Sequence, residues 1–439
     1  MRIMKSSQPL RDPEVLALRD KLRAGELTAG AAGGVDVRQA VARILSDVEQ
    51  RGDAALIDWE RKLDRVELTP EALRVPAEAV ECAHAGADPG FLGLVRRVRD
   101  NIRAYQEHIR IQAPPPLVRG GRELSVRYTP IERVAVYVPG MRALYPSSFL
   151  MTIVPAQVAG VPEIVVASPP LSDGDIDPVV LALAGELGIR EVYRLGGAVA
   201  VAGTAFGTET IPAVRKIVGP GNAFVTEAKR QVFGRVGIDS TAGPSEVLIV
   251  ADDTAEPAWV AADLLAQAEH DPASAILVTP SADLAEKVAA EVERQLPELD
   301  RAEATRACLD AYGAIIVVDD LAAACAVAND FAAEHLQIIT TNDDAALMKI
   351  PNAGAAFLGS HSPVPLGDYY AGPSHVLPTG GTGKFFGPLS CNEFLTASSV
   401  IRYDAAALAE DTEDTARFAE REGLTAHARA VRVRGEKKS

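Results

Sequence analysis

Eight short runs rich in β-branched residues recur along this chain with helical patterns between them, and that alternation leaves few folds open. The first four are VAVYV (134–138), EIVVAS (163–168), EVYRL (191–195) and KIVG (216–219). A strand, a helix and a return to a parallel neighbour take about 30 residues, which is close to the spacing of these runs. A second set follows: EVLIVAD (246–252), AILVTP (275–280), AIIVVDD (314–320) and QIITT (337–341). The pattern reads as α/β, with two Rossmann-like doubly wound domains in succession. Right-handed crossovers then line up the post-strand loops along one edge of each sheet, where ligands are expected to bind.

Flanking segments have a different character. Residues 1–125 read as a helical N-terminal region ending in the Pro-rich linker IQAPPPLVRGG (111–121), with LTPEALRV starting a helix at Thr69. The two α/β domains then span 126–238 and 239–385, leaving 386–439 as a C-terminal tail. The tail's helical pattern AALAEDTEDTARFAEREGLTAHARAVRVR is too polar for a core element. It is either a solvated tail or a segment that reaches onto another chain.

Composition excludes several classes. A net charge of −16 and a pI near 5.0 argue against a sequence-independent grip on nucleic acid or an anionic membrane. The four cysteines have no CxxC spacing, so neither a disulfide framework nor a cysteine zinc site is expected. The N-terminus carries no apolar signal-like run and no stretch suits a membrane span, so the expected compartment is cytoplasmic.

Several constellations can carry chemistry. Gln267 and His270 lie three apart in WVAADLLAQAEH and share a helix face, which can grip one ion; a histidine at a helix C-terminus can also simply interact with that end. Glu334-His335 closes LAAACAVANDFAAEH and precedes LQIITT, a turn from which both side chains can face one cavity. A carboxylate beside an imidazole manages proton transfers near neutral pH, although a surface capping pair is the simpler alternative. LGDYYAGPSHVLPTGGTGKFFG (366–387) is rich in Gly and Pro, holds Asp368 and His375, and reads as a functional loop. EGLTAH puts Glu422 and His427 in the polar tail. Together these supply nitrogen and oxygen donors suited to zinc or a similar divalent metal. KIVGPGNAF turns from a strand into a helix whose exposed N–H groups suit a phosphate or other polar ligand group.

At these residues the chain closely resembles the histidinol dehydrogenase family, from about residue 35 to the mid-430s. The resemblance rests on YVPG…ALYPSS, GPGNAFVTEAKRQV, AGPSEVLIVAD, DLLAQAEHDP, AAEHLQI, GDYYAGPSHVLPTGG and EGLTAH. It implies an NAD-dependent homodimer with one Zn²⁺ per subunit, oxidising L-histidinol to L-histidine in two steps through a retained aldehyde. By motif it implies Gln267, His270, Asp368 and His427 as zinc ligands, with His427 and Glu422 completing the partner's site. It further implies His335 as proton base, Glu334 as activator of water, and Ser245, His375 and Glu422 beside the substrate, with the ligand and acid–base residues. Tyr137, Val199 and Asn222 fall at the positions expected to contact NAD.

Four departures from the family pattern gather near the cofactor cleft and the substrate loop. Gly140-Met141 stands for the usual Gly-Gly, and Val199 stands for a cofactor-contacting Gln. Ser374 replaces Asn in GPSH, and GKFFG, with Phe385, replaces ARFSS. The same chemistry on another small polar alcohol, such as a sulfonated propanediol, is therefore the alternative to histidinol.

Overall fold

The computed structural model describes residues 1–23, 35–140, 145–241, 243–270 and 272–435. Two parallel sheets dominate. The five-stranded sheet runs β6-β5-β4-β7-β8, from β4 (Arg133–Tyr137), β5 (Glu163–Ser168), β6 (Glu191–Arg194), β7 (Lys216–Val218) and β8 (Gly237–Ile238). The six-stranded sheet runs β1-β11-β10-β9-β12-β13. Its strands are β1 (Arg2–Lys5), β9 (Ser245–Ala251), β10 (Ala273–Thr279), β11 (Gly313–Val317), β12 (His335–Ile339) and β13 (Ala355–Leu358). The mixed α/β fold with Rossmann-like parallel sheets is thus the one that the strand spacing anticipates.

Helices cover both faces, so the central strands bury every side chain: β4, β10, β11 and β12 are buried throughout. Each fully buried Val, Leu or Ile contributes roughly 1.5–3 kcal/mol, enough to hold apolar runs such as Leu248–Val250 at the sheet centre.

The extreme N-terminus differs from the helical expectation. Arg2–Lys5 adds a parallel edge strand beside β11, with Met4 buried against the six-stranded sheet. The helix expected at Thr69 is one 3₁₀ turn, Pro70–Ala72, capped when Thr69 Oγ1 accepts the Ala72 N–H at 3.3 Å. It stops there because Arg74 bridges to Tyr193 at the edge of β6.

A third, antiparallel sheet joins sequence-distant segments. β2 (Leu117–Arg119) and β3 (Arg122–Pro130) form a hairpin, and β14 (Leu395–Tyr403) returns to pair along all of β3. The tail helices Ala405–Arg421 and Thr425–Gly435 follow, tied back where the Arg122 guanidinium meets Asp411 and Glu410. This module leaves Leu117, Val118, Ile401 and Phe418 strongly exposed. No described helix is long and apolar enough to cross a membrane.

Candidate active site

Chain direction at the six-stranded sheet sets the location of the acid–base pair. The helix Leu321–Phe331 ends on Ala332, a non-glycine residue with φ of 51°, and this left-handed turn feeds Ala333 and Glu334 into β12. His335 is therefore the first residue of β12, paired with Val247 of β9. Ser245 opens β9, and Gln267 and His270 sit at the end of the helix Pro257–Ala268, just before β10. These residues gather at the amino edge of the six-stranded sheet. The post-strand loops expected to hold ligands do not supply these residues. Here the residues come from the turns that enter the strands.

Hydrogen bonds fix the pair closely. Glu334 Oε2 accepts the Glu246 N–H at 2.9 Å, and the Glu334 N–H donates to Glu246 Oε2 at 3.2 Å. His335 Nδ1–H donates to the Glu246 carbonyl at 3.0 Å, which leaves Nε2 as the ring's free nitrogen. That nitrogen lies 3.4 Å from Asp368 Oδ1 without hydrogen-bond geometry. Gly354 makes room for this turn, because a Cβ there would stand 2.5 Å from the Glu334 carbonyl oxygen.

The electrostatics follow from burial and crowding. Burial alone would push the His335 ring down, but the Glu334 and Asp368 carboxylates beside it raise it to about 9. Burial raises Glu334. Glu246 is pushed up to about 8 by burial and by the neighbouring Glu334 charge. Burial opposes ionisation of Asp368, yet His335, His375 and His270 hold it below the usual carboxylate range. Their mutual influence places His270, Glu334, His335, Asp368 and His375 in one electrostatic cluster.

Asp368 lies on the short helix Val364–Tyr369 and not in the loop expected there, and the segment that follows it bridges the two parallel sheets. His375 Nδ1–H donates to the Asp368 carbonyl at 2.9 Å, and its Nε2 lies 2.8 Å from Ser148 Oγ on the helix Pro146–Ala159. Burial lowers the His375 ring toward its neutral form, so Nε2 accepts from the serine hydroxyl. Ser374 is buried and donates to the Met151 carbonyl at 3.0 Å, so the replacement at this position is absorbed by the helix backbone. On the other side Thr379 Oγ1 accepts the Gly243 N–H, and the Gly380 N–H donates to Glu246 Oε1 at 3.0 Å. Phe385 is exposed against Phe386, and nothing in the structure accounts for that replacement.

A metal is tested by the donors present. Gln267 is buried, and its Nε2 N–H₂ has no acceptor among the described residues; a metal would take the other end of that amide, Oε1. By chemistry alone that oxygen, the His270 imidazole and the Asp368 carboxylate are donors of the kinds zinc accepts. Among the described residues no three His, Cys, Asp or Glu side chains gather to hold a metal. The chain alone thus offers two such groups and one amide. Glu422 and His427 are exposed on the tail, and neither side chain has a partner among the described residues.

The residues expected to contact a cofactor lie at the carboxyl edge of the five-stranded sheet. Tyr137 ends β4, and its hydroxyl accepts the Gly197 N–H at 3.2 Å. Burial pushes that phenol up to about 12. Asn222 caps the helix Ala223–Val232, its Oδ1 accepting from the Phe224 and Val225 N–H groups at 3.0 and 3.2 Å. Val199 is 1% exposed within the helix Gly197–Phe206, so any influence on a ligand runs through that helix's packing. Met141 lies outside the described residues.

The turn before Asn222 is rigid. Gly219 donates to Asp239 Oδ2 at 2.8 Å, and its carbonyl accepts from Lys229 Nζ at 3.1 Å, with Lys229 and Asp239 forming a buried ion pair. Gly219 has φ of 116°, and a Cβ would meet the Tyr137 carbonyl oxygen at 2.2 Å. The Gly219→Ala variant is expected to lose about 3 kcal/mol of stability, read by thermal melts. Unchanged melting would mean that the turn tolerates a Cβ at this position.

Sequence reasoning overlooked two residues here. Glu246 directly follows Ser245, and an acidic residue opening the otherwise apolar run EVLIVA was the available signal. Ser148 lies in YPSS, but nothing local marks it as the partner of a residue 227 positions away.

Two parallel sheets, with the buried Glu334 and His335 at the amino edge of one of them, describe an α/β protein with titratable groups gathered at a single place. The family model described as histidinol dehydrogenase matches residues 30–435. Histidinol dehydrogenase of Rhodopirellula baltica is 49% identical over 430 residues, covering 96% of this chain and 94% of that protein. That of Geobacillus kaustophilus is 49% identical over 92% of this chain and 96% of its own length. The crystal structure of histidinol dehydrogenase from Elizabethkingia anophelis superposes with a TM-score of 0.87 at 34% identity, covering 91% of this chain and 92% of that one. The chain belongs to the histidinol dehydrogenase family, an oxidoreductase family of histidine biosynthesis.

Proposed function

We propose that the chain is a zinc- and NAD-dependent cytoplasmic dehydrogenase that oxidises L-histidinol to L-histidine in two steps, at sites shared between two copies. The observation that carries this reading is the locked pair: His335 has Nδ1–H engaged by the Glu246 carbonyl, and the Glu334 carboxylate lies 3.6 Å from that nitrogen. Gln267, His270 and Asp368 of one subunit, with His427 of the partner subunit, would hold the zinc. Bound zinc supplies electrostatic anchoring for the substrate's amino and imidazole nitrogens, and bound NAD supplies the hydride acceptor for each oxidation.

Residues of the chain do the proton work. In its neutral form, which a ring raised to about 9 reaches on the alkaline side, His335 Nε2 takes the alcohol proton as hydride leaves the carbinol carbon, and the aldehyde remains in place. Glu334 takes a proton from water as the water oxygen bonds to the aldehyde carbon, and the former carbonyl oxygen takes up a proton from solvent, giving the hydrated aldehyde. After His335 returns its first proton to solvent, it takes a second as hydride leaves again and the acid forms. Ser245 and His375 line the substrate's path, and Glu422 of the partner subunit accepts the imidazole N–H. Tyr137, Asn222 and the helix containing Val199 face the cofactor. The exposed apolar residues of the tail module suit coverage by the second copy.

A kcat/KM comparison of L-histidinol with small diols, including a sulfonated propanediol, tests the substrate. L-histidinol is expected to lead by at least about 10⁴-fold, because an unpaired Glu422 would otherwise be left in the pocket. A preference for the sulfonated diol would replace histidinol in this account and leave the acid–base roles standing.

A further inference from the structure

We propose that Glu246 is a positioning residue that holds the acid–base pair and the metal-bearing loop as one rigid unit. The proposal rests on the reading of Glu334 and His335 as the reacting pair. Glu246 is 4% exposed; three of its groups join it to that pair and a fourth joins it to Gly380. Its N–H orients the Glu334 carboxylate, and its carbonyl holds His335 Nδ1–H. Its two carboxylate oxygens then take separate main-chain donors: Oε2 takes the Glu334 N–H and Oε1 the Gly380 N–H.

The geometry gives the side chain a task distinct from that of its backbone. The main chain of β9 would orient Glu334 and His335 whatever side chain stood at 246. Among the described residues only the carboxylate hydrogen-bonds both the peptide entering β12 and the Gly380 turn, and that turn ends the segment that runs from Asp368 through His375. Gly243 reinforces the same junction through Thr379. Without the carboxylate, two buried N–H groups lose their acceptors, and the Glu334 peptide is free to tilt against the loop. A shift near 1 Å at the reacting atoms costs about 10²-fold in rate, so the effect belongs in turnover and not in capture of substrate.

The test compares Glu246→Gln, Glu246→Ala and Val250→Ala on zinc-loaded enzyme. Val250 is fully buried farther along β9 and touches none of the site residues named above, so its variant reports the effect of a weakened strand alone. Glu246→Gln keeps one acceptor and turns an amide N–H₂ toward the other donor. It is expected to lower kcat at least about tenfold, and Glu246→Ala about a hundredfold, with KM for L-histidinol within about threefold of the parent. Zinc content should match that of the parent, because Glu246 touches none of the proposed ligands. In ¹⁵N-histidine spectra, the Nδ1–H signal that disappears in His335→Asn should be broadened by exchange in both Glu246 variants and retained in Val250→Ala.

The proposal is overturned if the Glu246 variants lose no more kcat than Val250→Ala at equal loss of melting temperature, or if their loss lies wholly in KM. Should Glu246→Ala not fold, Glu246→Gln decides alone. His335→Asn and Glu334→Gln are measured alongside. If those two retain turnover, the catalytic reading beneath the proposal fails; if they are inactive while Glu246→Gln is near normal, the positioning role alone fails.

Discussion

The His335→Asn variant is expected to lower NADH formation from L-histidinol by roughly 10³–10⁴-fold with little change in KM. Asparagine can still donate an amide N–H toward the Glu246 carbonyl, so the start of β12 keeps its geometry. It has nothing that accepts a proton where Nε2 now lies, 3.4 Å from Asp368. Both oxidations need that acceptor, so both should fall together. Steady-state NADH formation, with the melting temperature measured beside it, separates lost chemistry from lost fold. An activity within tenfold of the parent would show that His335 is not the base.

Two inactive variants should restore each other. His427→Ala and His335→Asn are each expected to be inactive as pure homodimers. Mixed in equal amounts, random exchange makes half of the dimers mixed. Each mixed dimer holds one site with both histidines intact, so activity should recover to about a quarter of the parent's. The physical ground is the tail itself. His427 and Glu422 are exposed and unpartnered among the described residues, on a helical hairpin that Arg122 anchors beside a sheet with exposed Ile401 and Val118. Mass spectrometry of intact dimers confirms the exchange. Full exchange without recovery would place all required groups within a single chain.

How much of this was legible in the sequence depends on burial. The central strands read clearly because a parallel sheet covered on both faces demands continuous apolar runs, and EIVVAS (163–168) coincides with β5. RIMK did not read as β1, because an edge strand buries only Met4 and leaves its cations outside. β3 and β14 were missed for the same reason: they pair with each other across some 270 residues and keep most of β14 exposed. The buried pair was visible as Glu334-His335, since an acidic residue and a histidine side by side before an apolar strand are conspicuous. Its edge of the sheet was not, because a rule about post-strand loops does not reveal which edge a particular site occupies. Glu246 escaped because its partners Glu334 and Gly380 lie 88 and 134 residues away, and main-chain hydrogen bonds leave no mark on residue type at such distances.

The central claim is that one site carries both oxidations and releases no free aldehyde. Counting NADH formed per L-histidinol consumed, on zinc-loaded enzyme with products identified by mass spectrometry, tests it most directly. The account predicts two NADH and one L-histidine for each L-histidinol, with no aldehyde captured by an added trapping amine. One NADH with trapped aldehyde, or no turnover of L-histidinol at all, would contradict it.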